Sequence, residues 1–321
     1  MLVCIAPGAF ASSLRFFGHG VTAPGLDRVK IRIDDPSLPS DPSPPVDVGA
    51  TDFTIEFWMK AAAADNIAGA VTCGPNIEWI NGNIVIDRDR FNQDRKYGVS
   101  IAGGEVVFGV SGDGTGDFTI CSTTDVLDDA WHHVALQRRR SDGRLWLHVD
   151  GALEAQADGP DGDVSYPDGG IPGPYCGGPC DDSDPFIVLG AEKHDAGAQY
   201  PSYSGRLEEL RFSTTLRYGG SAYPVPTSAF VPDADTVGLF HFDGPPGPCS
   251  GVLPDASASP TDGVCHFGGS APSGPVFGAD TPFEAAVDLP AAGAATRLLL
   301  ATLLGIASVS RLRVRLRRGP R

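Results

Sequence analysis

Apolar and polar residues alternate with a period of two along residues 130–157. On one side of this alternation lie Val134, Leu136, Leu145, Leu147 and Val149, and on the other lie Trp131, His133, Trp146 and His148. A period of two is typical of a half-buried β-strand, and Gly-containing turns at 142–143 and 150–151 separate three such runs. The pattern therefore predicts an antiparallel meander whose third strand covers residues 152–157.

Turn-forming residues are abundant throughout the chain, which has 41 Gly and 28 Pro among 321 residues and only short apolar runs. This composition favours many strands joined by loops over helices. A stretch of about 230 residues is an ordinary size for one β-sandwich with a substantial core. We therefore expect one globular domain.

Five motifs, taken in chain order, resemble those of the laminin G-like, concanavalin A-like jelly-roll superfamily. They are an opening strand at 14–18, a Phe-Thr-Ile-Glu-x-Trp strand at 52–60, the Trp-x-His-Val-Ala and Leu-x-Leu-x-Val-Asp-Gly strands within 131–151, the pair at 187–190 and 203–212, and a closing strand at 237–243. The resemblance implies an all-β fold in which two antiparallel sheets pack as a jelly-roll β-sandwich. We expect this domain to cover residues 12–244.

Acidic residues dominate the body of the chain. The formal net charge is −16, yet seven Arg and no acidic residue lie beyond residue 290, so the rest has 17 basic against 40 acidic residues, a charge near −23. Such a body repels nucleic acid and anionic membrane surfaces. Nucleic acid is therefore not an expected partner.

Cysteine usage indicates an oxidising compartment. After Cys4, the chain contains six cysteines, an even number that favours disulfides outside the cytosol. Fifteen pairings are open to six cysteines, and the spacing favours these: Cys176 with Cys180, Cys249 with Cys265, and Cys73 with Cys121. A zinc site at the first of these pairs is the alternative, but no second ligand pair has a suitable spacing.

Both ends of the chain differ in character from its body. Residues 1–11 resemble the last part of a secretory signal peptide, and residues 245–288 read as a Pro/Gly/Ser-rich stalk. Residues 289–321 combine a Pro-containing motif, an apolar helix of marginal membrane-spanning length and an Arg cluster. This arrangement resembles bacterial C-terminal sorting signals of the exosortase or sortase type, and a basic amphipathic helix is the alternative. We therefore expect an exported protein that is located at the cell envelope or surface or is extracellular, with export and sorting machinery and the membrane as partners.

Sequence patterns for catalysis are missing. No Glu begins the Glu-x-Asp-x-(x)-Glu pattern of glucan-cleaving jelly rolls, and no Gly-x-Ser-x-Gly nucleophile motif is present. Glu208 and Glu209 are adjacent, so on a regular strand they would point to opposite faces. The sequence therefore does not predict an enzyme.

Aspartate clusters leave calcium as the expected cofactor, because Ca²⁺ prefers carboxylate and carbonyl oxygens. The resemblance favours Asp243, since an Asp on the closing strand beside the opening strand is a common ligand position in the family. The other candidates are Asp34, Asp35, Asp113 and Asp117. A solvated turn is the alternative for each of them.

Aromatic residues provide candidates for contact with sugars. Tyr175, Tyr200 and Tyr203 lie in the loop-rich second half of the chain, interleaved with Pro and Gly. Among the tryptophans, Trp58 and Trp131 read as core or near-core residues, which leaves Trp79 and Trp146 as candidate sugar platforms, with packing as the alternative for both. We therefore expect a surface module that binds carbohydrate or protein, and the alternatives are a divergent glycosidase or lyase of this fold and a structural adhesion protein.

Overall fold

The computed structural model describes residues 12–18, 27–34, 43–90, 92–167, 185–194, 196–266 and 274–283. Some of the positions named above lie outside this part: residues 1–11, Asp35, Tyr175, Cys176, Cys180 and residues 289–321. Within the described ranges, no helix combines the length and the apolar character that crossing a membrane requires.

Strands account for nearly all the regular structure of the described residues. In chain order they are β1 (Ser13–Phe17), β2 (Arg28–Arg32), β3 (Phe53–Ala62), β4 (Asn83–Arg88), β5 (Lys96–Ala102), β6 (Glu105–Ser111), β7 (Asp117–Cys121), β8 (Asp128–Arg138), β9 (Arg144–Val149), β10 (Ala152–Asp158), β11 (Phe186–Leu189), β12 (Ser204–Ser213), β13 (Thr236–Phe240), β14 (Gly247–Pro248), β15 (Val252–Leu253), β16 (Gly263–His266) and β17 (Val276–Gly278). One 3-10 helix, η1 (Glu78–Asn81), precedes β4.

These strands form two antiparallel sheets that pack as a sandwich. The first sheet has the order β10-β9-β8-β3-β12-β1-β17-β14, and β13 also pairs with β12. The second sheet has the order β15-β16-β2-β11-β4-β5-β6-β7. This arrangement confirms the predicted all-β jelly-roll sandwich.

The core lies between the two sheets and follows the alternation seen in the sequence. The apolar side of the meander, Val134, Leu136, Leu145, Leu147 and Val149, is buried there together with residues of the second sheet. The three runs of the meander are β8, β9 and β10, which pair in that order. The periodicity of this stretch therefore predicted both its strands and its inner face.

A bulge interrupts β12 where it leaves β1 and joins β13. Leu207 and Leu210 both lie in the core although they are three residues apart, because the register shifts between them and Glu209 adopts a φ of +51°. Both Glu208 and Glu209 are thereby left outside the core, where Glu209 lies close enough to raise the pKa of Glu208. The prediction that these two side chains point to opposite faces is wrong, because it assumed a regular strand.

Residues 245–283 contribute to both sheets, where the sequence led us to expect a stalk. Strand β16 pairs with β2 in the second sheet, and β17 pairs with β1 in the first. These strands have only two to four residues, so each leaves little trace in the hydrophobic pattern. Within the described part of the chain, the strands of the sandwich therefore continue to Gly278.

Candidate functional site

Helix η1 covers the outer face of the second sheet through one tryptophan. Trp79 is only 1% exposed, and a Cβ at Gly98 or Gly109 would come within about 2.0 Å of its ring. The ring thus requires glycine at both positions of β5 and β6. Trp79 is a packing residue, which removes it from the possible sugar platforms.

A cavity of about 190 Å³ lies beside η1, and we call it the Tyr200 cavity. It is lined by Ile77, Ile80, Asp87, Asp89, Asn92, Lys96, Glu192 and Tyr200. Tyr200 is one of the tyrosines predicted to contact a ligand, and the structure places it among carboxylates, an amide and apolar side chains. This mixture of apolar walls and convergent polar groups is typical of a small-molecule site.

Charged groups at the cavity hold one another in place. Asp89 Oδ1 lies 3.0 Å from Lys96 Nζ, and Asp89 Oδ2 lies 3.4 Å from His194 Nδ1. His194 Nδ1 is also 3.3 Å from Glu192 Oε1. Burial alone would raise the pKa of Asp89, but its hydrogen bond with His194 and the charge of Lys96 bring it to about 2. Asp89 is therefore ionised at neutral pH and accepts hydrogen bonds.

Asp87 is buried beside Asp89, and its pKa is shifted in the opposite direction. Its two oxygens accept the backbone N–H groups of Asp89 at 2.5 Å and of Lys193 at 2.9 Å. Burial, followed by the charges of Glu192 and Asp89, raises the pKa of Asp87 to about 8. Its fully buried carboxyl fixes the backbone on both sides of the cavity.

Asp89, Glu192 and His194 also form a group with the spacing of metal ligands, their ligand atoms all lying within 4.8 Å of one another. The set combines two carboxylates with an imidazole, and Lys96 already balances part of the charge. Ca²⁺ prefers oxygen ligands, whereas imidazole suits zinc and other transition metals. The donors at this group therefore fit Ca²⁺ poorly.

A second acidic group, which we call the Asp243 cluster, consists of Glu208, Glu209, His241 and Asp243. It lies at the β12 bulge, where β13 ends and β1 begins. The Ser12 N–H donates to Asp243 Oδ1 at 3.3 Å, and Glu209 accepts the Phe230 N–H at 2.7 Å. His241 Nδ1 lies 2.8 Å from Glu209 Oε1, a contact that raises the pKa of His241.

Glu208 is the unusual member of the Asp243 cluster. It is 1% exposed, and its Oε2 has no hydrogen-bond partner within the described residues. Burial, followed by the charges of Glu209 and Asp243, raises the pKa of Glu208 to about 10. An orphaned carboxylate oxygen beside two more carboxylates matches the oxygen donors that Ca²⁺ uses. Oxygen donors of this kind suit Ca²⁺, although among the described residues only the Asp89 group has its ligand atoms within 4.8 Å of one another.

The structure does not bring the other predicted calcium ligands together. Asp34 is buried, Asp113 is exposed in the β6–β7 turn, and Asp117 is half-buried at the start of β7. None of these belongs to a group of three metal-ligating side chains within the described ranges. Asp243 does not belong to the Asp89 group either. The prediction that Asp243 binds calcium is supported only by its position near Glu208 and Glu209.

Tyr203 is fully buried, and its hydroxyl lies 2.9 Å from the Arg206 carbonyl oxygen, to which it donates a hydrogen bond. Its ring is not available to a ligand, so this predicted ligand residue is a core residue instead. Trp131 is half-buried, which agrees with the near-core position that the sequence predicts.

Two of the predicted disulfides are confirmed, Cys73–Cys121 and Cys249–Cys265. The first ties the segment before η1 to β7, beside a backbone bridge in which Gly74 and Thr119 each donate to the other at 2.8 Å. Ile77 and Ile80, which follow on the same segment, form one wall of the Tyr200 cavity. This disulfide therefore supports the cavity wall.

Comparison with known proteins agrees with this architecture. The two sheets define an antiparallel jelly-roll β-sandwich. The chain belongs to the concanavalin A-like lectin/glucanases superfamily, whose family model matches residues 38–217. No curated protein matches the chain.

Several solved structures are similar in fold. A protein of Bacteroides ovatus described as carbohydrate binding aligns with 81% of this chain and 59% of its own, at 14% identity and a TM-score of 0.46. A heptameric SAP-like pentraxin from Limulus polyphemus aligns over 64% of this chain and 77% of its own, at 15% identity and a TM-score of 0.38. Domains LG4-5 of the mouse laminin alpha1 chain align over 78% and 53%, at 14% identity and a TM-score of 0.39. The chain thus spans just over half of the first and third of these proteins, and at such TM-scores the likenesses do not indicate what it binds.

Proposed function

We propose that the protein is a carbohydrate-binding module of the cell surface and that its glycan site is the Tyr200 cavity. The observation that carries this proposal is the lining of the cavity, where an aromatic ring and two isoleucines stand beside fixed carboxylates, an amide and an ammonium group. Two disulfides support a location outside the cytosol.

Sugars require a flat apolar contact and hydrogen-bonding groups aimed at their hydroxyls. Tyr200 supplies the ring, and the ionised Asp89 accepts hydroxyl hydrogens in charge-assisted bonds, which are stronger than neutral ones. Because Lys96 and His194 already hold Asp89 in place, the Asp89 side chain loses little conformational entropy when a ligand binds. Asn92 at the rim offers both a donor and an acceptor.

A hydrolytic role is the second candidate, and one observation favours it. Asp89 and Glu192 place carboxylate oxygens within 4.8 Å of each other at the cavity, close to the spacing of about 5 Å that retaining glycosidases use. Release of reducing ends from a bound oligosaccharide would support hydrolysis, whereas recovery of the intact sugar would support binding alone.

The ring of Tyr200 should decide glycan affinity. On a panel of oligosaccharides, we expect Tyr200→Ala to weaken binding of the best ligand roughly tenfold, about 1.4 kcal/mol, because the stacking surface is lost. Tyr200→Phe keeps the ring and serves as the matched control, so it should remain within roughly threefold of wild type. Equal binding by wild type and Tyr200→Ala in calorimetric titrations would place the glycan elsewhere.

For the cation, we propose that Ca²⁺ binds at the Asp243 cluster and fixes the junction between β1, β12 and β13. A ligand that binds only the folded state stabilises it by about 2.7 kcal/mol when present at about 100 times its Kd. We therefore expect Ca²⁺ to raise the melting temperature relative to excess chelator. Glu208→Gln should remove this shift, and Asp113→Asn should retain it.

The Ca²⁺ effect should also grow with pH. The pKa of Glu208 is about 10 in the folded protein against an ordinary value of 4.5, so between these values the folded state holds a proton that the unfolded state has lost. Without Ca²⁺, stability from this group therefore falls as pH rises. Since Ca²⁺ and the proton compete for the carboxylate, the thermal shift should be larger at about pH 9 than at about pH 6. A shift independent of pH and of Glu208 would contradict this assignment.

A further inference from the structure

Residues 274–283, which we call the strap, first form β17 within the first sheet and then cross the outer face of that sheet. Strand β17 pairs with β1, and the chain then carries Asp280 and Phe283 over β3 and β8. The Phe283 ring packs against Trp58 with its centroid 5.9 Å away and the planes at 82°. The strap therefore covers a surface that has both aromatic and charged side chains.

Asp280 is held by donors from three strands. Trp131 Nε1 donates to Asp280 Oδ1 at 2.9 Å, and Oδ2 lies 3.1 Å from Lys60 Nζ and 3.4 Å from Arg206 Nε. Burial alone would raise the pKa of Asp280, but hydrogen bonds from Trp131 and Lys60 and the charges of Lys60 and Arg206 bring it below its ordinary value. These donors thus form a seat for an ionised carboxylate.

The seat opens into a cavity of about 240 Å³, which we call the Lys60 pocket. Its charged lining consists of Arg15, Lys60, Asp65, Asp129, Arg206 and Asp280. The three basic side chains come from β1, β3 and β12 and are mostly buried, whereas Asp65 and Asp129 are 52% and 74% exposed at the rim. Among these carboxylates, Asp280 is the one that both Lys60 and Arg206 contact, whereas Arg15 pairs with Asp65 at 3.4 Å.

The charged lining has three basic and three acidic side chains, so removing the Asp280 carboxylate leaves the pocket with a net positive charge. Basic side chains that meet in one place favour the binding of an anion. The rim carboxylates of Asp65 and Asp129 disfavour a multiply charged anion such as phosphate. They are suited instead to accept hydroxyl hydrogens from a ligand whose single carboxylate lies deeper, between Lys60 and Arg206.

We propose that the Lys60 pocket is a second ligand site, which binds the carboxylate of an acidic sugar such as a hexuronate, and that Asp280 of the strap occupies this site in competition with the ligand. The sugar carboxylate replaces that of Asp280 on Trp131 Nε1 and Lys60 Nζ, and the ring hydroxyls face Asp65 and Asp129. The site lies on the first sheet and does not share residues with the Tyr200 cavity on the second sheet. It is therefore independent of the glycan site proposed above.

Asp280→Asn tests the competition directly, because it removes the internal carboxylate while β17 still anchors the strap. The probe is tetragalacturonate, and its methyl ester is the matched neutral sugar. Calorimetric titration at low salt uses the full chain with Tyr200→Ala in every sample, so that the Tyr200 cavity does not contribute. We expect Asp280→Asn to bind the acidic tetramer at least about tenfold more tightly than the protein with Asp280 intact, since a tethered competitor acts at a high effective concentration.

Asp113→Asn is the matched control, because it removes the same charge from an exposed turn between β6 and β7 that does not line the pocket. It should change affinity for the acidic probe less than about threefold. Adding Lys60→Gln to Asp280→Asn should abolish the gain. The proposal is overturned if Asp280→Asn gains no more than Asp113→Asn, or if the methyl ester gains equally. A thermal melt verifies folding, and Asp280→Ser provides the same comparison if the Asn variant does not fold.

Discussion

In urea, the Glu56→Gln variant should unfold with a free energy about 3–5 kcal/mol lower than that of the wild type, because the substitution breaks a buried ion pair. Glu56 is fully buried on the outer side of β3. Its Oε1 accepts from Arg211 Nε at 2.8 Å and lies 2.6 Å from Arg211 Nη2, and its Oε2 accepts the Tyr218 hydroxyl. A neutral glutamine would leave the largely buried Arg211 guanidinium without a counter-charge.

The loss of stability at acid pH should depend on the same ion pair. Burial alone would raise the pKa of Glu56, but the approach of His133 Nε2 to 3.5 Å of Oε2 and the charge of Arg211 bring it below its ordinary value of 4.5. A carboxyl with a lowered folded-state pKa contributes stability above its unfolded pKa, and this contribution is lost as pH falls through the folded value. Between neutral pH and about pH 3, the wild type should therefore lose more stability than Glu56→Gln.

The control for this prediction is Glu105→Gln, the same chemical change at a half-buried position of β6 that has none of these contacts. It should change the free energy of unfolding by less than about 0.5 kcal/mol. A loss below about 1 kcal/mol for Glu56→Gln would show that the ion pair merely offsets its own desolvation. Urea denaturation followed by tryptophan fluorescence measures both variants.

Local patterns in the sequence predicted the parts of this fold whose signals are local. The meander followed from a period of two, and the Phe-Thr-Ile-Glu-x-Trp motif became β3, with Glu56 at its buried charged position. The sequence predicted a structural role for Glu56. Its contacts show that it forms a buried ion pair with Arg211 and accepts a hydrogen bond from Tyr218. Residues more than 150 positions away complete the network, so sequence spacing alone could not identify them.

Long-range packing and irregular backbone account for what the sequence did not predict. The Asp89 group depends on residues about one hundred positions apart, which meet because the chain after β11 turns back and Lys193 N–H donates to Asp87 Oδ2. Glu208 and Glu209 share a face only because Glu209 adopts a left-handed φ. No glycine stands next to Glu209 in the sequence, so nothing there predicts this conformation. The strands at 247–278 are too short for a periodic signal, and their Pro and Gly content is also typical of a stalk.

Replacing both Cys73 and Cys121 with serine should lower the free energy of unfolding by about 4 kcal/mol, because their cross-link closes a long loop in the unfolded chain. The two residues are 48 positions apart, whereas Cys249 and Cys265 are 16 apart, so the matched double replacement of the second pair should cost about 3 kcal/mol. Urea unfolding of the two double variants against the oxidised wild type measures this order.

The two disulfides should differ more in their effect on ligand binding than on stability. Cys73–Cys121 anchors the segment that carries Ile77 and Ile80 into the wall of the Tyr200 cavity, whereas Cys249–Cys265 joins strands β14 to β16 beyond β2. Loss of the first should therefore weaken binding of a glycan that requires Tyr200, and loss of the second should leave its Kd unchanged at temperatures where both variants are folded. Equal Kd values for the two variants would mean that the Gly74–Thr119 bridge alone positions this wall.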